Sequence, residues 1–185
     1  MNVYDFDKTI YDGDSTTDFI FWCMKKKPTI VLSLLPGVVA FGGYAAKLCE
    51  KTYFKEKFYR FLNKIPDVKK YVEEFWDEHI ENIQEWYLLR QKEDDVIISA
   101  SPEFLVTPVC KRLKIKYIMA SRVDVDTGMY YGINCHGEEK VRRFKKAFPD
   151  GRIDEFYSDS LSDAPLANLA HRAYLVKGED LFPWS

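Results

Sequence analysis

The sequence predicts an α/β fold in which a parallel sheet is interrupted, directly after its first strand, by a helical insertion. Three observations predict it. A short apolar run over residues 3–6 opens the chain and ends among acids. Residues 18–91 then repeat apolar positions at helical spacing. From residue 95 onward, β-branched runs alternate with helical patterns, which is the pattern of βαβ units.

Taken in order, residues 3–6 form the first strand. The stretch from 29 to 46, TIVLSLLPGVVAFGGYAA, runs eighteen residues without a charge behind Lys25, Lys26 and Lys27. Its length reaches the lower edge of a membrane span, and flanking lysines suit a membrane boundary. Pro36, Gly37, Gly42 and Gly43 argue against a span. A helical hairpin broken at Pro36-Gly37 is expected, either packed as a core or interface pair or lying on a membrane surface. Tyr53, Phe54, Phe58, Phe61 and Leu62 mark one buried helical stripe; Val72, Phe75, Trp76, Ile80, Ile83 and Tyr87 mark another, begun at Pro66-Asp67.

Residues 95–99 read as the second strand. Ser101 is expected to cap the next helix, with Pro102 at its first position and Glu103 in its first turn. A third strand follows at 115–120, then a hairpin over 123–135 turning at Asp126-Thr127-Gly128. Val141, Phe144 and Phe148 line one face of a helix whose other face is basic. Residues 153–157 make the fourth strand, SDSLSDAP leads into another helix, and 173–176 close as the fifth strand.

The composition suits one domain with an insertion: 185 residues, 46% hydrophobic and 16% aromatic, bury a sizeable core. A net charge of −2 gives no general attraction to nucleic acid. Cys23, Cys49, Cys110 and Cys135 lie far apart and read as buried thiols of a reducing compartment. The N-terminus runs straight into an acidic motif without a signal peptide, so a cytoplasmic location is expected, with peripheral contact at the inner membrane face through 29–46 as an option.

In open parallel sheets, ligands bind beyond the carboxyl ends of the strands. Those ends here carry Asp5, Asp7 and Thr9, then Ser99, then Asp159 and Asp163, with Lys140 leading a helix between the last two strands. A calcium loop is excluded for the opening acids, because Ile10 stands where such a loop needs glycine and Thr16 where it needs glutamate. Asp12 and Asp14 read as loop and helix-cap residues, and Asp124-Val-Asp126-Thr as a turn.

DFDKT, VIISAS, GEEKV and YSDSLSD, in that order, resemble the four motifs of the haloacid dehalogenase superfamily, in its phosphoserine phosphatase-like branch. That resemblance implies a Rossmann-like three-layer core from residues 1–15 and 91–185, with a helical cap at 16–90. It implies a phosphomonoester hydrolase with Asp5 as nucleophile, through an aspartyl-phosphate, and Asp7 as acid and base. Ser99, Ala100 and Lys140 would hold phosphate. Mg²⁺ would be held by Asp5, Asp7 (through its carbonyl), Asp159 and Asp163, the last through water or by holding the shell. YSDSLSDAPLANLAHRAYLV with the apolar insertion is similar to the phosphatidylglycerophosphatase C type, which implies a lipid or amphiphilic phosphomonoester. A soluble metabolite phosphatase, a phosphotransferase and a non-catalytic phosphate-binding relative are the alternatives.

Overall fold

The computed structural model describes residues 1–49 and 51–184. Strand β1 (Val3–Tyr4) is followed by α1 (Ser15–Lys26), α2 (Ile30–Ala45), α3 (Lys51–Tyr59), a 3₁₀ turn (Arg60–Lys64), α4 (Val68–His79) and α5 (Glu85–Leu88). Then come β2 (Val96–Pro102), α6 (Glu103–Arg112), β3 (Tyr117–Ser121), α7 (Glu138–Ala147), β4 (Ile153–Ser158), α8 (Ala164–Ala167), β5 (Ala170–Lys177) and β6 (Asp180–Pro183). The sheet order is β3-β2-β1-β4-β5-β6. Every neighbouring pair is parallel except β5–β6.

β1 is the shortest strand, yet it sits centrally, pairing Val3 with Val96 on one side and with Phe156 on the other. Apolar side chains cover both faces of the sheet, as a parallel sheet requires. On one face Tyr4, Phe6, Phe19, Trp22, Phe75, Trp76 and Leu105 join a single cluster that runs from β1 into α1, α4 and α6. The Trp76 indole N–H donates to the Leu105 carbonyl at 2.8 Å, tying α4 to α6. On the other face Val3, Val96, Ile98, Phe144, Ile153, Phe156 and Leu166 form a second cluster beneath α7 and α8.

Local chemistry sets the helix starts. Asp14 accepts from the Thr17 N–H at 2.9 Å and Asp67 from the Lys70 N–H at 2.9 Å, each side chain satisfying an orphan donor of the first turn.

Four expectations need correction. The break at Pro36-Gly37 is absent: α2 is one helix with Pro36 inside it. Proline removes a bond to the carbonyl four residues back, and here both Leu32 and Pro36 lie on the exposed side, where water can replace that partner. The 123–135 hairpin reduces to a single bridge between Val123 and Tyr130, because the Asp124 carboxylate gathers the Asp126 and Thr127 N–H groups into a turn. Gly128, at φ 73°, presses that turn against the Tyr59 backbone, where a Cβ would stand 2.7 Å from the Tyr59 carbonyl carbon. β2 runs on to Pro102 instead of ending at residue 99, so Ser101 belongs to the strand and does not cap α6. Finally, β5 starts at Ala170, and a further edge strand, β6, returns through a two-residue turn with Gly178 at φ 60°.

Candidate active site

The loop after β1 carries the first two acids to the carboxyl edge of the sheet. The Asp5 N–H donates to the Tyr157 carbonyl at 2.9 Å, which fixes the aspartate beside the end of β4. Lys8, at φ 53°, turns the chain back, and its N–H donates to the Gly13 carbonyl at 2.8 Å. A non-glycine residue in that conformation stores strain, and such strain collects at functional loops. Thr9 is fully buried, and its hydroxyl accepts from the Asp159 N–H at 3.0 Å, so it joins the β1 and β4 loops and performs no chemistry of its own.

Lys140 is the hub. It enters from the first turn of α7, is 1% exposed, and its ammonium donates to Asp5 at 2.7 Å and to Asp163 at 2.6 Å. Asp163 also accepts from the Ser158 hydroxyl at 2.8 Å. Burial works against the charge on Lys140, but Asp5 and Asp163 outweigh it and hold the ammonium protonated. α7 itself is clamped in place. Glu139 accepts from Arg142 and Arg143, and Arg143 donates onward to the Ala120 and Ile133 carbonyls, at 2.6 Å each. The basic face of this helix is therefore partly a structural brace.

Asp7 faces the opposite way. One carboxylate oxygen accepts from the Ser15 N–H, at the start of α1, at 2.7 Å; the other accepts from the Ser101 hydroxyl, which also lies 3.0 Å from the Thr16 hydroxyl. Burial, then the neighbouring Asp14, push Asp7 above the usual carboxylate range, while Ser101 and Ser15 oppose them. The sequence places Ser101 as a helix cap, whereas in the structure its hydroxyl holds Asp7. The signal available was the serine pair SAS at a strand end, which the following Pro102 disguised. Ser99 is fully buried and its hydroxyl accepts from the Ser101 N–H at 3.0 Å; Ala100 between them is half-buried.

The structure thus gathers Asp5, Lys140 and Asp163 in direct contact, and places Asp159 close enough to Thr9 to bond through its backbone. Among the described residues, no three His, Cys, Asp or Glu side chains group as a metal cage. Both oxygens of the Asp7 carboxylate are taken, by Ser15 and Ser101, whereas Lys140 and Ser158 both donate to one and the same oxygen of Asp163, and Lys140 to one oxygen of Asp5. Asp5, Asp159 and Asp163 thus fit a hard divalent cation: the donors are all oxygen, and burial pushes Asp5 and Asp159 upward. Lys140 and, for Asp159, Lys8 supply only part of the compensating charge.

The model of the haloacid dehalogenase-like hydrolases matches residues 3–168. The chain belongs to that family. A probable phosphatase of Mycobacterium tuberculosis is 34% identical over 90 residues, and the match spans 45% of this chain but only 31% of that protein. Protein CicA of Caulobacter vibrioides is 25% identical over 182 residues, 90% of this chain and 81% of that one. Among solved structures, a protein of unknown function from Bordetella pertussis superposes with a TM-score of 0.76 at 17% identity, covering 94% of this chain and 87% of that one. An apo phosphoserine phosphatase superposes at 0.58 and 14% identity, covering 92% and 82%. These two superpositions show a fold shared with this chain. None of the four carries the phosphatidylglycerophosphatase name.

Proposed function

We propose that the chain is a phosphomonoester hydrolase that works through an aspartyl-phosphate on Asp5. One observation carries the reading: Lys140 grips one oxygen of Asp5 at 2.7 Å, while Asp7, two residues on, is held apart from it by Ser15 and Ser101. A fixed carboxylate beside a buried cation is a nucleophile for phosphorus, and a second, separately held carboxyl is an acid and base.

In the first step an Asp5 oxygen bonds to phosphorus, the bond from phosphorus to the ester oxygen breaks, and Asp7 gives its proton to the departing alkoxide. In the second, Asp7 takes a proton from water, the water oxygen attacks phosphorus, and Asp5 is released as carboxylate with inorganic phosphate. The upward push on Asp7 suits the first of these roles, because the acid must arrive protonated. Lys140 neutralises charge on the phosphoryl oxygens in this reading, and the Ser99 hydroxyl with the Ala100 backbone would hold them. Asp5, Asp159 and the Asp7 carbonyl, with Asp163, would hold Mg²⁺, which when bound would supply further neutralisation of the phosphoryl charge.

Residues 16–90 serve in this reading as the cap that selects substrate. An amphiphilic or lipid phosphomonoester, of which phosphatidylglycerophosphate is one, suits a cap whose α2 carries no charge. The test is phosphate release from a panel of soluble and lipid phosphomonoesters, with Mg²⁺ and with chelator. Asp5→Asn should lower turnover by at least about a thousandfold, as removal of a covalent nucleophile does, and chelator should suppress the wild type. An Asp5→Asn protein that still turned over would sink the mechanism. Activity confined to small soluble phosphates would move the substrate class to a metabolite.

A further inference from the structure

Helix α2 has the composition of a buried helix and the exposure of a surface one. Its sixteen residues contain no charge, yet only Ile30, Leu34, Gly37 and Ala40 are buried, on one stripe along which Gly37 abuts Phe58 of α3. Leu32 and Val39 are 73% and 77% exposed, and Leu48 just beyond the helix is 82% exposed. Leu35, Val38 and Phe41 lie open on the same helix. A helix that is apolar all round needs cover, and an exposed apolar surface of this extent marks an interaction site.

The charge around it says what the cover is. Residues 19–64 carry nine lysines and arginines against two glutamates, a net +7 in a chain of net −2, which leaves −9 elsewhere. Lys25 and Lys47 are exposed at the two ends of α2, and Arg60 is exposed in the 3₁₀ turn beneath it. A second copy docked on this face would bring the exposed Lys25, Lys47 and Arg60 of one chain against those of the other. An anionic lipid surface offers negative headgroups and an apolar layer together.

We propose that α2 lies in the plane of an anionic bilayer surface, with Leu32, Leu35, Val38, Val39 and Phe41 in the acyl boundary and the flanking lysines among the headgroups. At sixteen residues it is about 24 Å long, short of a hydrocarbon layer of about 30 Å. No helix among the described residues is long and apolar enough to cross a membrane.

The docked side of α2 lies opposite Gly37, which abuts Phe58 on the buried side of the helix. Docking would hold the chain at the surface where lipid phosphates lie. That purpose rests on the hydrolase reading, whereas the docking itself does not.

The test is flotation of the full chain with phosphatidylcholine vesicles, with and without phosphatidylglycerol. Binding is expected only with phosphatidylglycerol, and is expected to weaken as salt is raised. Lys25→Gln and Lys47→Gln should each weaken it about fivefold. The double variant Leu35→Glu/Val39→Glu should abolish it while keeping the wild-type circular dichroism spectrum, because both side chains are exposed. The proposal is overturned if the wild type fails to float, if it floats equally on neutral vesicles, or if the double variant floats as well as the wild type. It is also overturned if the free chain is a dimer that the double variant dissociates. Phosphatase activity without vesicle binding would remove the docking and leave the hydrolase reading intact. Vesicle binding without phosphatase activity would do the reverse.

Discussion

Ser101 decides how Asp7 stands, because its hydroxyl and the Ser15 N–H take the two oxygens of that carboxylate between them. A hydrogen bond to a charged group is worth about 1.5–3 kcal/mol, so Ser101→Ala should lower turnover roughly tenfold to a hundredfold on an alkyl phosphate. On p-nitrophenyl phosphate, whose leaving group needs no proton, the loss should nearly vanish. Equal losses on the two substrates would make Ser101 a structural residue only. Asp95 supplies a second residue-scale expectation, in stability. It is 1% exposed, one oxygen accepts from the Lys92 N–H at 2.8 Å, and the other has no hydrogen-bond partner among the described residues. Burial pushes it up to about 6 from 3.8. The ionised form is thus disfavoured by folding, so the contribution of Asp95 is fully present below its unfolded value and is lost as pH rises through about 6. Asp95→Asn keeps the acceptor and removes the titration. Between pH 4 and pH 7 its unfolding free energy should gain on wild type by on the order of 1–2 kcal/mol, read by denaturant melts at both pH values.

The helices show which local signals suffice and which do not. Asp14 and Asp67 cap α1 and α4 where the sequence placed helix starts, since a cap needs only a side-chain oxygen within one turn. Ser101-Pro102-Glu103 carries the same local signal but forms no cap. Pairing of Pro102 with Ser121 extends β2, and Asp7 claims the hydroxyl. The Pro36-Gly37 pair misled in the same way: a breaker motif is overridden when the helix has a partner against which to lie. Gly37 is there for that partner, because a Cβ would stand 2.7 Å from the Phe58 ring. Gly42, on the same helix, has nothing within 4 Å. The two should answer substitution with opposite signs. Gly37→Val should cost about 1–3 kcal/mol by overpacking, and Gly42→Ala should gain about 0.5–1 kcal/mol from helix propensity. Thermal melts of the two variants check both directions, and a Gly37→Val protein as stable as wild type would mean that α2 does not pack on α3.

At the scale of the whole molecule, the chain sorts its charge and its chemistry. The 19–64 segment is strongly positive and partly apolar, while the remainder is acidic and holds the carboxylates around Lys140. Much of this was legible in the sequence: the alternation of strand and helix, the helical insertion, and the order of DFDKT, VIISAS, GEEKV and YSDSLSD each depend on residue type and spacing along the chain. Element type and motif order are properties of the chain itself, because propensity, periodicity and capping act within a few residues. What only the tertiary structure decided is who meets whom: that Lys140 joins Asp5 to Asp163, that Ser101 rather than a helix N-terminus holds Asp7, and that α2 leaves most of its apolar surface open. Those outcomes depend on contacts between residues as far apart as 94 and 135 positions. They depend also on competition among partners for one hydroxyl or one face, which no local pattern records.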